Sequence, residues 1–548
     1  MPTEPSQPQS QADQQAQTKT CTTCQSLFEI TETDLSFYKK LDLPSPTLCP
    51  ICRVKRRMAW RNDRSFYVRK CDRSNETFVS IYPEKTPFPV YKPSEWYRDD
   101  WDPREFGQEI DWNRPFFEQW NELKNKVPRL GIDIVHCENS EYCNYCGDDK
   151  NCYLDIAGEA NEDCYYNLFT KFSKNCTDNT FVYSSELCYE SLNCYQCHTI
   201  KYSMYLENCS NCNYCFDLKD CQNCTLCGNL RHKKYHILNK PYTKEEYEKK
   251  LKELEAQNAL TKENWKRLIS ESIHRDMYNT KTENCAGDSI KNSKNCEETY
   301  NAVNCWDCKF LYDVLDAKDC YDLNYSLYKP EVACELISTL NMRYSACNMA
   351  SHYCHNVFYC DQCNNSDYLF GCIALNRSHY CVLNKQYTKE EYEKLLPRLI
   401  EYMKKTGEWG EFFPAKYSPA GYNETVAQEY YPLSKDQAAK EGFNYAEKLF
   451  TKSSPSEADP SKGVLICKTC SKKFKVIPQE AEFYKRFAIK TPESCPDCRH
   501  FMRNTLRNPR QLRKGTCSKC KTPIQTTYVK ELSPKLIYCE KCYLETLY

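Results

Sequence analysis

A chain of 548 residues has length for roughly three to five domains. Its 75 Lys+Arg against 75 Asp+Glu exclude a global field drawing it to nucleic acid or to a membrane. No run of eighteen apolar residues is present to span a bilayer. What is unusual is 40 Cys and 43 Tyr beside only 13 Gly. The first eighteen residues lack the basic start and apolar run of a secretory signal. The thiols are therefore read as those of a cytoplasmic protein, reduced and either metal-bound or buried. Export by an unconventional route, with disulfides, is the weaker alternative.

Residues 1–18 are Gln-, Ser- and Pro-rich without periodicity and are expected to be a disordered tail. Residues 19–98 read as a zinc-ribbon module. Cys21-x2-Cys24 and Cys49-x2-Cys52 form two knuckles 24 residues apart, the four thiolates that tetrahedral zinc needs. Such a module has too few aliphatics to offset ordering costs of about 1–2 kcal/mol per residue, so metal must supply the difference. After Cys71 the expected second quartet is degenerate: Ser74 and then KPSEW stand where ligands belong, so this site is read as metal-free and held by aromatics.

A basic strip, RVKRRMAWRNDRSFYVRK, follows the second knuckle. Arg53, Arg57, Arg61 and Arg64 share one face if this stretch is helical. Arginines with interleaved aromatics suit phosphate contact and base stacking. A solvated face, or arginines tied to local carboxylates, is the competing reading. Residues 99–136 are an aromatic-rich connector expected to seal the start of the body, with a short helix near 115–126.

The body, 137–412, is repetitive. Cys152, Cys164, Cys176 and Cys188 recur every twelve residues, and so do Cys296, Cys308 and Cys320; Cys334, Cys347, Cys360 and Cys372 keep the interval within two residues. Asn, Asp or a small polar residue precedes most of them. A parallel β-solenoid stacks such positions into inward columns about 4.8 Å apart. A coil of about 24 residues is preferred over one of twelve. YHILNKPYTKEEYEK (235–249) returns as YCVLNKQYTKEEYEK (380–394), so lobe 1 (137–275) and lobe 2 (276–412) are duplicates. Thr243 with Glu246 and Thr388 with Glu391 form capping boxes that start a helix at each lobe's end, and 261–276 reads as a further helix. Knuckle-spaced body pairs such as Cys143/Cys146 and Cys360/Cys363, with His236 standing where the second copy has Cys381, leave three readings: buried thiols, which a twelve-residue period favours, extra zinc, or redox chemistry.

Residues 413–450 read as a packed segment with short helices near 424–429 and 434–441, and 451–463 as a linker. The ribbons beyond it either swing relative to the body or fold back beside the N-terminal copy, and folding back is the preferred expectation. Residues 464–548 form a double ribbon, with Cys467, Cys470, Cys495 and Cys498 as one quartet and Cys517, Cys520, Cys539 and Cys542 as the next. Its 24-residue gap and its Arg499, Arg503, Arg507 and Arg510 repeat the N-terminal module. Cys-x-x-Cys, a Phe-Tyr spacer and Cys-Pro-x-Cys-Arg resemble the bacterial "probable zinc-ribbon" family. The whole chain is similar to uncharacterised cysteine-rich proteins of candidate-phyla bacteria. That resemblance carries Cys21, Cys24, Cys49, Cys52 and Arg53 with Cys467, Cys470, Cys495, Cys498 and Arg499, and it implies no activity.

The fold class expected is mainly β with helical caps: a central parallel β-solenoid of two duplicated lobes, flanked by zinc ribbons at both termini and holding about three Zn²⁺. No phosphate loop, nucleophile motif or His-Glu-x-x-His is present. The leading reading is a non-enzymatic scaffold whose ribbons contact RNA, DNA or a nucleic-acid machine. A protein–protein scaffold with structural zinc is the alternative. A β-helix enzyme acting on carbohydrate through Asp148, Asp149 and Asp155 is the third.

Overall fold

The computed structural model describes residues 16–447, 457–529 and 534–548. Most of the expected tail, and residues 451–456 of the expected linker, lie outside these. Gln17 and Thr18 already belong to a strand, Gln17–Thr20, paired antiparallel with Leu27–Ile30. The chain forms two compact units, one from residues 1–131 and 278–446, the other from 132–277 and 447–548. Each thus joins one ribbon region to one solenoid lobe, and the two lobes together make about 21 turns.

In the second unit the register sets the coil length. Thr180 pairs with Leu192, Leu192 with Met204, and Met204 with Phe216, all parallel. Glu186, His198, Ser210, Gln222 and Lys234 form a second parallel series. One coil is therefore twelve residues, and the 24-residue coil is corrected. The backbone explains how so tight a coil closes. Asn175, Asp178, Phe181, Ser184, Leu187, Glu190 and Asn193 all have φ between 49° and 60°. Every third residue is a left-handed corner, which makes four short sides per coil. That conformation costs most L-residues about 1–2 kcal/mol and Asn or Asp least, so Asn or Asp stands before so many cysteines.

The residue after each corner points inward. Cys176, Asn179, Val182 and Ser185 line one coil and Cys188, Ser191, Cys194 and Cys197 the next, all buried. Four side chains must share each layer, so only small or slender ones fit. Cys is apolar enough to bury and can also donate: Cys164 Sγ lies 3.5 Å from Glu162 O and 3.6 Å from Ser173 O. Inward Asn residues close a ladder, Asn179 N donating to Asn167 Oδ1 at 2.9 Å and Asn179 Nδ2 to Cys188 O at 2.9 Å. Outward corners ladder too, with Asn295 Nδ2 donating to Asp307 at 2.8 Å and Asn304 Nδ2 to Asp316 at 2.7 Å in lobe 2. Body thiols other than the half-buried Cys137 and Cys285 are buried. Iodoacetamide is expected to modify those two in the native chain and every body cysteine after denaturation, read by mass spectrometry.

The first unit builds lobe 2 on the same plan with irregularities: corners Asn284 and Ser289 stand five apart around Gly287 (φ 149°), and a residue is added further on. Tyr328 and Lys329 both have positive φ, and Cys320 pairs with Ala333, a step of thirteen. Cys334 follows Ala333, the inward partner of Cys320, and Cys347 is itself a left-handed corner (φ 57°), so neither joins the core that holds Cys320, Cys360 and Cys372. The single column assigned to Cys334, Cys347, Cys360 and Cys372 from spacing is thereby corrected. Both capping boxes form: Thr243 with Glu246 starts helix Lys244–Ala256, and Thr388 with Glu391 starts helix Lys389–Thr406. The first packs Tyr247 and Leu254 on Ile237 at the last coil of lobe 1. Helix Lys262–Glu271 sends Trp265 Nε1 to Cys215 O at 3.1 Å. Short helices occur at Val426–Tyr430 and Lys435–Lys440.

At its end the aromatic connector begins the first coil of the body, Ile134 pairing with Cys146. Its helix, Phe116–Lys126, packs on lobe 2: Phe116 and Phe117 N–H groups donate to Glu408, and their rings meet Tyr359 and Phe370.

Candidate metal centres

Each knuckle is a tight turn that aims two sulfurs at one point. At the first, Cys21 N–H bonds Ser26 O, Gln25 N–H bonds Cys21 O, and Gln25 takes φ 60°. Ser471 and Lys521 take φ 59° and 65° at the equivalent places. The second knuckle opens a helix, with Pro50 or Pro496 at its first position and Cys49 or Cys495 as cap.

The quartets Cys21/Cys24/Cys49/Cys52, Cys467/Cys470/Cys495/Cys498 and Cys517/Cys520/Cys539/Cys542 each hold their sulfurs within 4.8 Å of one another. Cys24 Sγ lies 3.6 Å from Cys49 Sγ; Cys470–Cys495 and Cys520–Cys539 are both 3.7 Å. A tetrahedron with metal–sulfur bonds of about 2.3 Å has edges of about 3.8 Å, so the residues fit a bound ion. Donors meanwhile favour thiolate: Cys495 N–H points at Cys467 Sγ (3.2 Å) and Cys539 N–H at Cys517 Sγ (3.3 Å). Bonding to Cys52 brings Cys49 down to about 6, and Thr522 with its neighbours does the same for Cys520, while their partners Cys52 and Cys542 are pushed up, so one thiolate of each pair is favoured. In the degenerate module, Cys71 keeps the knuckle turn, but Lys92 N–H approaches its sulfur at 3.4 Å and Trp96 is buried nearby in helix Pro93–Trp96.

The strip arginines lie against the solenoid. In the first unit Arg53 Nε donates to Asp322 at 2.9 Å, and Arg57 donates to Asn324 at 2.8 Å and Glu335 at 2.6 Å. Arg61 pairs with Asp63 at 2.6 Å and sits over the Tyr325 ring. Phe37 stacks on Tyr321 with centroids 3.9 Å apart. In the second unit Arg499 Nε donates to Asp178 at 2.8 Å and Arg503 at 3.0 Å, while Arg507 lies over Phe181. Arg53, Arg57, Arg61, Arg499 and Arg503 are each at most 3 % exposed, Arg510 is buried, and Arg64 and Arg507 are half-buried. Of the two readings of the strip, carboxylate pairing is what the geometry places.

Sequence reasoning missed the acids that receive them, although a signal was present. Asp178 in CTDNTF and Asp322 in CYDLNY each stand two residues after a cysteine of the twelve-residue series, Cys176 and Cys320. Both are left-handed corners, φ 57° and 59°. The acids named for a carbohydrate-active face do not form one. Asp149 and Asp155 point into the coil, while Asp148 is an exposed corner 3.6 Å from His136.

The third quartet is attached through strand Leu536–Tyr538, parallel to Ile273–Arg275. His274 lies between, its Nε2 at 2.7 Å from Ile269 O and its Nδ1 at 2.9 Å from Tyr528 OH. Burial lowers it to about 4, so it is held neutral. The unfolded chain takes up this proton first as pH falls, so stability is full above the ordinary value near 6.5 and declines toward pH 4. The difference is about 3 kcal/mol. His274→Gln is expected to flatten that slope in urea titrations at pH 7 and pH 4.5.

No family model matches the chain, and no curated protein matches it. Among solved structures it is similar to the "putative acetyltransferase" of Desulfovibrio desulfuricans G20 at 10% identity, over 44% of this chain and 65% of that one, with a TM-score of 0.11. A likeness that low carries no argument about fold or activity. Among the described residues no helix is long and apolar enough to cross a membrane.

Proposed function

We propose that this protein is a non-enzymatic scaffold in which structural zinc ribbons clasp a β-solenoid and the solenoid's outer faces meet protein partners. The observation that carries the reading is the repeated docking: Arg53 on Asp322 and Arg499 on Asp178 use the same arginine, helix position and corner carboxylate. The ribbons spend their arginines on the solenoid. Four-thiolate sites leave no open coordination position, which suits a structural ion, and an all-sulfur tetrahedral set favours zinc over harder cations. Native chain purified without added metal should carry zinc at the quartets and no iron; iron there would turn the reading to redox chemistry.

Nucleic-acid contact is the second reading, favoured by the last ribbon, where Arg513, Lys514, Lys519 and Lys521 are exposed. Filter binding to RNA and duplex DNA between 50 and 200 mM salt separates the two. Affinity that falls steeply with salt, and is lost on Lys514→Ala/Lys519→Ala/Lys521→Ala, supports phosphate contact; salt-independent or absent binding supports the protein scaffold.

A further inference from the structure

The interior of one coil near the start of lobe 1 differs from its neighbours. Where the next coil places Asn161, Cys164, Asn167 and Thr170 inward, coil 149–160 places Asp149, Cys152, Asp155 and Gly158. Asp149 is 1% exposed and Asp155 0%. Each is only half satisfied. Asp149 Oδ1 accepts Asn161 N–H at 2.9 Å and Asp155 Oδ2 accepts Asn161 Nδ2 at 2.8 Å. Asp149 Oδ2 and Asp155 Oδ1 have no hydrogen-bond partner. Neither carboxylate makes an ion pair among the described residues, and the nearby buried Lys171 is taken by Glu159 at 2.9 Å.

Two buried carboxylates without a cation are expensive in a medium of low polarity. The donors around them are the kind a metal takes. Asp149, Cys152 and Asp155 hold one ligand atom each within 4.8 Å of one another, and so do Cys143, Cys146 and Asp149. The fourth side of the coil carries no side chain. A Cβ built on Gly158 would fall against Asp155 Oδ2 and 2.6 Å from Asp149 Oδ2. Glycine here does not serve a left-handed corner; the two carboxylates take the space that a side chain would fill.

We propose that coil 149–160 encloses a further metal site for one divalent cation of the zinc class, with Asp149 as its central ligand. Asp155 and Cys152 supply the other protein donors from the same coil, while Cys143 and Cys146 form a separate triad with Asp149. A mixed thiolate and carboxylate set excludes magnesium and calcium, which take oxygen alone, and is less soft than copper(I) sites require. The bare alternative is a carboxylic acid pair sharing a proton. Burial raises both groups, Asp149 to about 6, and it is an outcome the experiment reads.

The test compares metal content of the full chain with that of Asp149→Asn/Asp155→Asn, both purified from zinc-supplemented growth and desalted. Asn already fills these two columns one coil later at 161 and 167, so the variant reproduces an interior the fold accepts. The expected result is one metal equivalent more in the parent chain than in the variant. Equal content overturns the site, whatever the total. Because both chains share the three quartets, a failure of the quartets lowers both totals and leaves the difference intact. Cadmium-113 NMR of the parent chain gives a second reading should the variant fail to fold. A resonance of mixed sulfur and oxygen ligation beside the all-sulfur signals is expected, and all-sulfur signals alone overturn the proposal.

Discussion

Stripping metal from the quartet Cys467/Cys470/Cys495/Cys498 unfolds that ribbon and releases its helix, Pro496–Asn504, from lobe 1. The ribbon core is small: Phe474, Val476, Phe483 and Tyr484 with the cysteines, packed on Tyr189. Structural zinc contributes on the order of 10–16 kcal/mol in isolated fingers, far more than this cluster can supply by burial. Cys495→Ser is the sharpest probe, since it removes a ligand while Ser can still cap the helix, where Cys495 makes no side-chain cap bond. The expected result is loss of one metal equivalent and amide exchange through 467–504 faster by several orders of magnitude, with the lobe 1 core still protected. Protection that survives a metal-free quartet would mean that docking alone folds the ribbon.

The second large effect is at Asp178. It accepts from both Arg499 and Arg503, and all three are buried. These arginines hold its carboxyl below the ordinary range, against the opposing effect of burial. Asp178→Ala leaves two guanidinium groups in the interior with one carboxylate, Glu480, remaining at 3.2 Å from Arg499. Breaking a buried pair in this way costs about 3–5 kcal/mol. Arg499→Met/Arg503→Leu in the same background should recover most of it, as apolar groups of similar volume carry no unpaired charge. A loss under 1 kcal/mol by chemical denaturation would show that the interface is held by Tyr166, Tyr189 and Phe483 instead. The pair is also an acid sensor. Because the folded value is depressed, its stabilisation is present at neutral pH and is lost as pH falls through that value.

The cysteine quartets that could hold metal and the stacked architecture were legible because both write strict spacing into the chain. Six knuckles at short, repeated gaps leave few alternatives, and a period of twelve with Asn before Cys marks a corner followed by an inward residue. Coil length was misjudged for a physical reason. A twelve-residue coil requires a left-handed residue at every third position, including Phe181 and Leu187. Side-chain identity discourages that reading, and only backbone register, Thr180 on Leu192, decides it. Likewise nothing local to RVKRRMAWR says whether its arginines face phosphate or carboxylate. The answer lies in Asp322, 269 residues away from Arg53.

That separation governs the order in which the chain can assemble. At about 5–20 residues per second, Arg53 leaves the ribosome roughly 15–50 seconds before Asp322 exists, and Asp178 waits still longer for Arg499, 321 residues on. During synthesis the nascent protein therefore carries a naked cationic helix first and an unanswered anionic flank second. Translation itself is the period in which both are open to chaperones, polyanions or a neighbouring copy.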